Sequence, residues 1–599
     1  MRPPWQPLPL PRLLRPLLLG IAFFLSCITT PTLVRACTTI LATPGSTVDG
    51  STLNSHSNDG EGTVDPRLVR IAAADHEPNS LRDIFFAYEE YPRYIGYSRN
   101  VSEYFPSKDQ TPFAPIGRIP QVPHTFAYFE ETYGVINEKQ VSIAESTCSG
   151  VFGAKPAGQG GKAIMSVDTL SQLAMERAAT AREAVQIMGD LAVKYGFYGA
   201  GSFEGTAESL LVGDPNEGWV FHILPDDTGT SAIWVAQKVP DGHVTIVANM
   251  FIIREVNLAD SENFLGSPNM FSIAQSKGWW TPGSKFDFTA IFSDGEYAHK
   301  FYTGRRIWRA YDILAPSSKF PTTYKDIRYS SPYPFSIAPD TKVELATVMA
   351  IMRDSLEGTP FDMTAGLAAG PFGSPDRWIG GDGESKVAGN WERPIALFRT
   401  SDSYVAQSRK WLPAQVGGLV WFGPHGAHAT VYVPFAIGMQ DLPPAYKIGN
   451  PSKLDRRSAY WAHRYVENLA NLRWSDMIKD IRAQSSKWEE TSKALVGKVD
   501  QIGLKDPKKM TDLYIANANG VIKSWWKLAD DLMEKYADGN VYGKPVGYPA
   551  WWLQAAILAH PPVVGYPNGP PPVPSTAMQM FNRKHRGRKE LKPQEALVS

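Results

Sequence analysis

The chain has 599 residues, of which 43% are hydrophobic and 12% aromatic, with 60 basic and 60 acidic side chains. This length and apolar content are sufficient for a large globular core and for more than one domain. The formal charge of zero excludes the strongly basic surface that attracts nucleic acid or an anionic membrane, so small molecules or peptides are the expected partners.

Residues 1–36 have the features of a cleavable leader. They contain no acidic residue, carry arginines ahead of the apolar run PLLLGIAFFLSC, and have Val34 and Ala36 at the −3 and −1 positions of a cleavage site. The alternative is an uncleaved membrane anchor, but about 12 apolar residues are fewer than the ~20 that span a bilayer. Cleavage after Ala36 leaves a formal charge of −4 and two cysteines, Cys37 and Cys148.

That cleavage would make Cys37 the N-terminal residue. Such a residue carries a thiol and an α-amine, and the amine can take the thiol proton and later return a proton to a leaving amine. A buried strand cysteine and a lipid attachment site are the alternatives, although Arg35 and the long segment ITTPTLVR argue against lipidation. The coincidence of the cleavage site with Cys37 favours an N-terminal nucleophile.

From Cys37 to about Phe435, short β-rich runs alternate with turn clusters. The segments DPNEG (214–218) and PDG (240–242) each separate two apolar runs, and this pattern predicts two antiparallel hairpins. A turn at Asp49-Gly50 predicts that the first two strands pair, which would bring residues 55–60 beside Cys37. Ordinary loop chemistry is the alternative for this polar segment.

Helical periodicity marks two regions. Apolar residues recur at helical spacing from Leu170 to Tyr195 behind a predicted N-cap, Ser166, so we expect a helix packed on a sheet. A second helical zone covers about residues 451–536, and its aromatic residues are typical of a core. The predicted organisation is a leader over residues 1–36, a β-rich core over 37–450, a helical C-terminal part over 451–560, and a Pro-rich basic disordered tail over 561–599.

Other polar residues are candidates for chemistry. Glu145, Ser146 and Thr147 follow an alternating strand, and Asn249 interrupts the apolar run TIVANMFII. A buried asparagine needs partners, so Asn249 is either hydrogen-bonded structure or a donor to a reacting oxygen.

Two histidine pairings were weighed as metal ligands. They are His425 with His428 in HGAH, and His56 with Asp59. Neither comes with a third ligand at a recognised spacing, so no metal site is predicted.

Several segments together resemble the PepD-type dipeptidases, cysteine peptidases of the N-terminal nucleophile (Ntn) superfamily that are related to the secernins. They are CTTILATPGSTVDGST with SHSND, YGVINEKQVSIAES, LAMERAATAREAVQIMGDLAVKYG, ESLLVGDPNEGWVFHIL, WVAQKVPDGHVTIVAN, LEGTPFDMTAGLAAGPFGSPDRW and GGLVWFGPHGAHATVYVPF, in order from Cys37 to about Gly539. The resemblance implies an α+β fold, the Ntn-hydrolase αββα four-layer sandwich, here with a helical C-terminal region. It also implies hydrolysis of dipeptides with no metal and no other cofactor.

Carried over by position, Cys37 resembles the nucleophile of that family. Asp59 resembles the aspartate that orients the nucleophile and its amine, and Asn249 resembles the asparagine of the oxyanion hole. These three are the expected catalytic residues.

Substrate binding is assigned to four further positions. His56 stands near the place where related acylases carry an arginine, and Arg399 in IALFRTSDSYV is the candidate for their distal arginine. Glu145 and Thr147 lie where those acylases use asparagine or tyrosine, and an acidic Glu145 could hold the ammonium of a dipeptide.

The expected partners are dipeptide or short peptide substrates, with no nucleic acid and no stable membrane insertion after cleavage; a homo-oligomer is left open. An amidase acting on N-acylated substrates and a non-catalytic binding protein on the same scaffold are the rival functions. Cys37 and Cys148 are expected to be separate thiols, with a redox-linked pair as the alternative. The leader places the protein in the secretory pathway, as a secreted or vacuolar/lysosomal-type enzyme.

Overall fold

The computed structural model describes residues 37–60, 62–199, 206–295, 300–322, 333–378 and 392–555. The predicted leader and the predicted tail over 561–599 lie outside these residues. Contact clustering divides the chain into a large unit that ends at Pro545 and a second unit that begins at Val546. In the second unit, the described residues include one short helix, Ala550–Ala555.

The large unit contains two antiparallel sheets. In spatial order, the six-stranded sheet consists of β14 (Val244–Val247), β1 (Thr38–Ala42), β2 (Thr52–Asn58), β16 (Asp402–Ser408), β17 (Gly418–Pro424) and β18 (Val433–Ala436). The eight-stranded sheet consists of β15 (Phe264–Gly266), β13 (Ala232–Val239), β12 (Gly218–Pro225), β11 (Ala207–Gly213), β10 (Ser142–Cys148), β9 (Gly134–Asn137), β8 (Tyr128–Glu130) and β3 (Val69–Ile71).

Three short two-stranded ribbons accompany the sheets. They pair β4 (Ala74–Asp75) with β7 (His124–Thr125), β5 (Leu81–Ile84) with β6 (Gly117–Pro120), and β19 (Asn540–Val541) with β20 (Lys544–Pro545). The helices of the large unit are α1 (Val167–Arg177), α2 (Ala181–Tyr195), α3 (Asn269–Ser276), α4 (Phe288–Phe292), α5 (Arg305–Leu314), α6 (Leu345–Met352), α7 (Ala414–Gly417), α8 (Ala459–Ala470), α9 (Trp474–Ile502) and α10 (Pro507–Tyr536).

Strand β1 is buried on both faces, because neighbouring residues of a strand point to opposite sides of the sheet. Ile40 belongs to a core shared with α5, α6 and α8–α10, whereas Leu41 belongs to a core that it shares with Leu211 and Val220 of the eight-stranded sheet. A third core joins the eight-stranded sheet to α1 and α2. The nucleophile candidate therefore begins a strand that is enclosed from both sides.

The predicted pairing of the first two strands is confirmed. Thr38 of β1 lies opposite Ser57 of β2, and Ala42 lies opposite Leu53. The first of the two other predicted hairpins is also confirmed, since β11 and β12 pair antiparallel across the 214–218 turn.

The second predicted hairpin is wrong. Strand β13 pairs with β12 and β15 in the eight-stranded sheet, whereas β14 pairs with β1 in the six-stranded sheet. The turn at residues 240–242 thus carries the chain from one sheet to the other, and turn residues alone do not distinguish this crossing from a hairpin.

The predicted helix over residues 167–195 is confirmed in position but is divided in two. Ser166 caps α1 by accepting a hydrogen bond from the Thr169 N–H, and Thr180 caps α2 by accepting one from the Glu183 N–H. The apolar residues keep their helical spacing across the break between α1 and α2, so the periodicity alone does not reveal the cap at Thr180. The helical zone from 451 to 536 is confirmed by α8, α9 and α10.

Candidate active site

Cys37 immediately precedes β1, next to the centre of the six-stranded sheet. Its thiol is not in a disulfide, and the residue is 3% exposed. The main-chain carbonyl accepts hydrogen bonds from Ser146 Oγ at 3.3 Å and from Arg306 Nη1 at 2.7 Å. The start of this strand is therefore fixed by both the opposite sheet and helix α5.

Asp59 is connected to the start of β1 through one serine. The Thr38 N–H donates to Ser57 Oγ at 3.1 Å, and that hydroxyl donates to Asp59 Oδ2 at 3.2 Å. Arg393 donates to the same carboxylate oxygen, and Thr400 donates to the other. The carboxylate is fully buried and held on both oxygens, which fixes its position beside residue 37.

Asn249 follows the end of β14 and adopts the left-handed conformation, with φ at 56°. Asparagine is one of the few residues other than glycine that tolerates this conformation. Its main-chain N–H donates to Ser146 Oγ at 2.8 Å, and its side-chain Nδ2 donates to the Thr147 carbonyl at 2.7 Å. An amide nitrogen carries two N–H bonds, so Nδ2 has a second hydrogen for a reacting oxygen.

Arg306 joins Cys37 to Asn249, and the sequence did not single it out. Nη1 donates to the Cys37 carbonyl and to Thr38 Oγ1, while Nη2 donates to Asn249 Oδ1 at 2.7 Å. The side chain is buried, and burial together with the nearby charge of Arg393 lowers its pKa to about 9. One guanidinium therefore sets the distance and orientation between the two groups.

His56 lies between two glutamates at the same end of the sheet. Its Nδ1 lies 3.5 Å from Glu131 Oε1, and its Nε2 lies 3.6 Å from Glu145 Oε2, with all three side chains fully buried. The Cys37 Sγ, one His56 nitrogen and one Glu145 oxygen lie within 4.8 Å of one another. The thiol thus has an imidazole and a carboxylate beside it.

The charges of this cluster follow from the two glutamates. Burial works against a charged His56, but the facing side chains of Glu131 and Glu145 outweigh it and raise the histidine pKa to about 10. Burial also works against ionised Glu145, but His56 lowers its pKa. Burial and the charge of Glu131 raise the pKa of Asp402 well above its usual value. At neutral pH His56 is therefore an imidazolium that faces both glutamates.

Thr147 and Arg399 contact the site in different ways. Thr147 donates from Oγ1 to Glu145 Oε1 at 2.7 Å, while its carbonyl binds Asn249. Arg399 donates to the main-chain carbonyls of Asp59 and Gly60, at 2.9 and 3.0 Å. The guanidinium of Arg399 therefore holds the chain at residues 59–60, and it is Arg393 that contacts the Asp59 carboxylate.

The sequence profile of Peptidase family C69 matches residues 36–487 of the chain. The chain belongs to peptidase family C69. The chain is 25% identical over 473 residues to a probable dipeptidase of Latilactobacillus sakei, an alignment that covers 78% of this chain and 88% of the relative. It is also 24% identical over 497 residues to a dipeptidase of Bifidobacterium longum, covering 78% and 83% of the two chains, and 21% identical over 460 residues to dipeptidase A of Lactobacillus helveticus, covering 75% and 85%.

These matches confirm the resemblance to the PepD-type dipeptidases, and the protein is a cysteine-type peptidase.

The matches also correct the expected location of the protein. The relatives are bacterial dipeptidases, and none of these matches supports a secretory, vacuolar or lysosomal-type location. The assignment to the secretory pathway, as a secreted or vacuolar/lysosomal-type enzyme, is therefore wrong; it rested on the leader pattern, which is a local sequence signal. Among the helices within the described ranges, none combines the length and apolar content needed to cross a membrane.

The second buried thiol of this C69 peptidase has a different setting. Cys148 Sγ lies 3.0 Å from Ser209 Oγ, which lies 2.7 Å from His222 Nδ1. The His222 Nε2 accepts the main-chain N–H groups of Ile252 and Ile253, so the imidazole proton is on Nδ1. Burial lowers the His222 pKa to about 3. This chain of contacts supports the segment that follows Asn249, and neither Cys37 nor Cys148 is in a disulfide.

Two groups of side chains in the described part of the peptidase have a spacing compatible with a metal ion. One is Cys37, His56 and Glu145, which overlaps the nucleophile. The other is Asp376, His428 and Glu467, which supplies the further ligands that the HGAH motif lacked in the sequence.

The residues that the sequence missed are Arg306, Glu131 and Arg393. Arg306 is 269 positions from Cys37, and Arg393 is 334 positions from Asp59. The available signal for Arg306 was a pair of arginines at the start of an otherwise apolar-faced helix, because an arginine on a buried face needs acceptors.

Proposed function

We propose that this peptidase hydrolyses dipeptides, with Cys37 as an N-terminal nucleophile. The names of the relatives support the substrate class. The observation that carries the mechanism is the single Arg306 guanidinium bound to both the Cys37 carbonyl and the Asn249 side chain. Nucleophile and oxyanion donor are thereby held in one rigid unit before substrate arrives.

The proposal requires removal of residues 1–36, which frees the α-amine of Cys37. That amine takes the thiol proton, and the thiolate attacks the scissile carbonyl carbon. The oxyanion formed accepts a hydrogen bond from Asn249 Nδ2. When the C–N bond breaks, the Cys37 ammonium returns a proton to the leaving amino acid, and a thioester remains.

Hydrolysis of the thioester reuses the same base. The Cys37 amine takes a proton from water, the resulting hydroxide attacks the thioester carbonyl, and the C–S bond breaks to release the second amino acid and the thiol. In this scheme Asp59 acts through Ser57 on the first strand residue, which holds the amine in position.

We propose that the acids around His56 select the free ammonium of a dipeptide. Glu131 and Glu145 place two acidic side chains against the single positive charge of His56, beside Cys37. An amidase for N-acylated substrates has no ammonium to bind. This difference separates the proposal from the acylase alternative.

We further propose that the fold is the αββα sandwich of the Ntn hydrolases. Helical layers on both sheets support this assignment. The eight-stranded sheet packs against α1 and α2, and the six-stranded sheet packs against α5, α6 and α8–α10.

The test combines N-terminal mass analysis of the purified enzyme with a pair of substrates. We expect a chain that begins at Cys37 and that cleaves a dipeptide much faster than its N-acetylated form. A chain that begins elsewhere would contradict the N-terminal mechanism. Equal rates on the two substrates would instead favour an acylase.

A further inference from the structure

Four buried side chains converge where strand β17 ends and helix α8 passes. Asp376 comes from the segment before residue 379, His425 and His428 from the turn after β17, and Glu467 from α8. His428 Nε2 lies 3.8 Å from Asp376 Oδ1, and His428 Nδ1 lies 3.6 Å from Glu467 Oε1. His425 Nε2 lies 3.7 Å from Glu467 Oε2.

In each of the three facing pairs, one atom has no hydrogen-bond partner within the described ranges: Asp376 Oδ1, His428 Nδ1 and Glu467 Oε2. The other ring nitrogen of His425, Nδ1, has none there either. Buried polar atoms are nearly always paired, and separations of 3.6–3.8 Å exceed the length of a hydrogen bond. The 3.6 Å between His428 Nδ1 and Glu467 Oε1 is close to the spacing of about 3.4 Å between ligand atoms that surround one ion at about 2.1 Å, while Asp376 faces the other ring nitrogen.

One donor atom from each of Asp376, His428 and Glu467 lies within 4.8 Å of the other two, as binding to one ion requires. The surroundings fix the Asp376 carboxylate. Asn471 Nδ2 donates to Asp376 Oδ2 at 2.8 Å, and Asn471 is itself held by Ser374. Hydrogen bonds of this kind orient the carboxylates of metal sites.

The turn itself is shaped around the glutamate. A Cβ on Gly426 would lie 2.2 Å from Glu467 Oε2, so only glycine admits the carboxylate there. The Trp474 ring packs edge-on against the His428 ring, with 5.3 Å between centroids.

We propose that Asp376, His428 and Glu467 bind a divalent first-row transition-metal ion, with Zn²⁺ as the best match and His425 as the adjacent further donor. Imidazole and carboxylate ligands suit such ions, whereas Ca²⁺ takes six to eight oxygen ligands. A +2 ion would balance two buried carboxylates beside neutral imidazoles.

The ion would join the segment that carries Asp376 to the turn after β17 and to helix α8. Its role is structural, and no step of the proposed hydrolysis runs through it. The inference is therefore independent of whether the substrate is a dipeptide.

The test measures zinc content and thermal stability of the purified full-length enzyme. The thiols are first blocked with iodoacetamide, because Cys37, His56 and Glu145 form a competing set of ligands. After chelator treatment and dialysis, ZnCl₂ is added in slight excess, unbound metal is removed, and zinc is counted by mass spectrometry.

We expect one zinc per chain and a melting temperature raised by a few degrees, because an ion that binds only the folded state stabilises it. His428→Gln should lose both effects, and the control His243→Gln, at a half-buried histidine outside the cluster, should keep both. If His428→Gln fails to fold, Asp376→Asn provides the second variant, with at least a tenfold weaker zinc affinity expected.

Two results would overturn the proposal. One is a blocked enzyme that neither retains zinc nor changes its melting temperature when Zn²⁺, Mn²⁺ or Co²⁺ is added. The other is equal zinc retention by the wild type and both cluster variants. In either case His428 is simply a protonated side chain between two carboxylates.

Discussion

Two buried histidines, His56 and His428, each lie between two carboxylates, at 3.5 and 3.6 Å in one case and 3.6 and 3.8 Å in the other. The first has the Cys37 thiol beside it, whereas the second has another imidazole, that of His425. Under the two proposals above, the same three-residue arrangement serves different chemistry, because its neighbour is a thiol in one case and a further imidazole in the other.

Removing the Cys37 thiol is the strongest test of the different roles proposed for the two clusters. Cys37→Ala should lower kcat by about 10⁴-fold or more, since no other group can form the thioester. Dipeptide hydrolysis measured by release of free amino acid is the readout. The matched control is Cys148→Ala, which removes the other buried thiol and should retain catalysis. Activity in purified Cys37→Ala would contradict the mechanism.

Replacing the first histidine tests its charge. His56→Gln leaves Glu131 and Glu145 without their cation, and breaking a buried ion pair costs about 3–5 kcal/mol. The pKa of His56 rises from 6.5 in the unfolded chain to about 10 in the folded one. The stabilisation is thus complete below pH 6.5 and is lost as pH rises through about 10.

Urea unfolding of wild type and His56→Gln from pH 6 to pH 10 checks this dependence. The difference in unfolding free energy between the two proteins should decrease as the pH rises. The control is His124→Gln, in an exposed pair with Asp75, for which a change in unfolding free energy below about 1 kcal/mol is expected. A gap that widens with pH would show that His56 is neutral in the folded enzyme.

Removing the oxyanion donor should cost less than removing the thiol. Asn249→Gly deletes the amide and accepts the left-handed conformation, so kcat should fall about 100- to 1,000-fold with KM little changed. Asn79→Gly is the matched control, because Asn79 is also left-handed but is exposed and far along the chain from the site residues. A loss confined to KM would assign Asn249 to ground-state binding.

The smallest expected effect concerns the second cluster. Gly426→Ala places a methyl group against the Glu467 carboxylate and should reduce the free energy of unfolding by about 1–3 kcal/mol. Gly497→Ala, on helix α9 with no atom near its Cβ, should instead be stabilising by up to about 1 kcal/mol. Chemical denaturation of both variants measures the difference. Equal changes in unfolding free energy for the two variants would mean that the Glu467 side chain moves away from the added methyl group without cost.

Local signals in the sequence correctly placed the groups that lie near Cys37 in the chain. The Asp49-Gly50 turn fixes the pairing of β1 with β2, and this pairing places Ser57 against Thr38 and carries Asp59 to the site. The helical zones followed from periodicity in the same local way. These inferences succeeded because the interactions involved are local.

The groups that it missed depend on contacts between distant segments. Nothing local indicates that Arg306 reaches Cys37, or that Glu467 reaches the HGAH turn, because each contact depends on how helices pack on the six-stranded sheet. The hairpin predicted at residues 240–242 was wrong for the same reason, because β14 pairs with β1 rather than with β13, its neighbour in sequence. Asn249 is intermediate between the local and the distant groups. The sequence showed a polar residue in an apolar run, but it did not show which residues that side chain contacts.

The Arg306 contacts also determine when activity can first arise during synthesis. Cys37 is among the first residues of the core to leave the ribosome, but the guanidinium that holds its carbonyl is translated 269 residues later, and Thr400, which binds Asp59, later still. The contacts that hold Cys37 and Asp59 in this arrangement therefore cannot all form until the chain has been translated past residue 400.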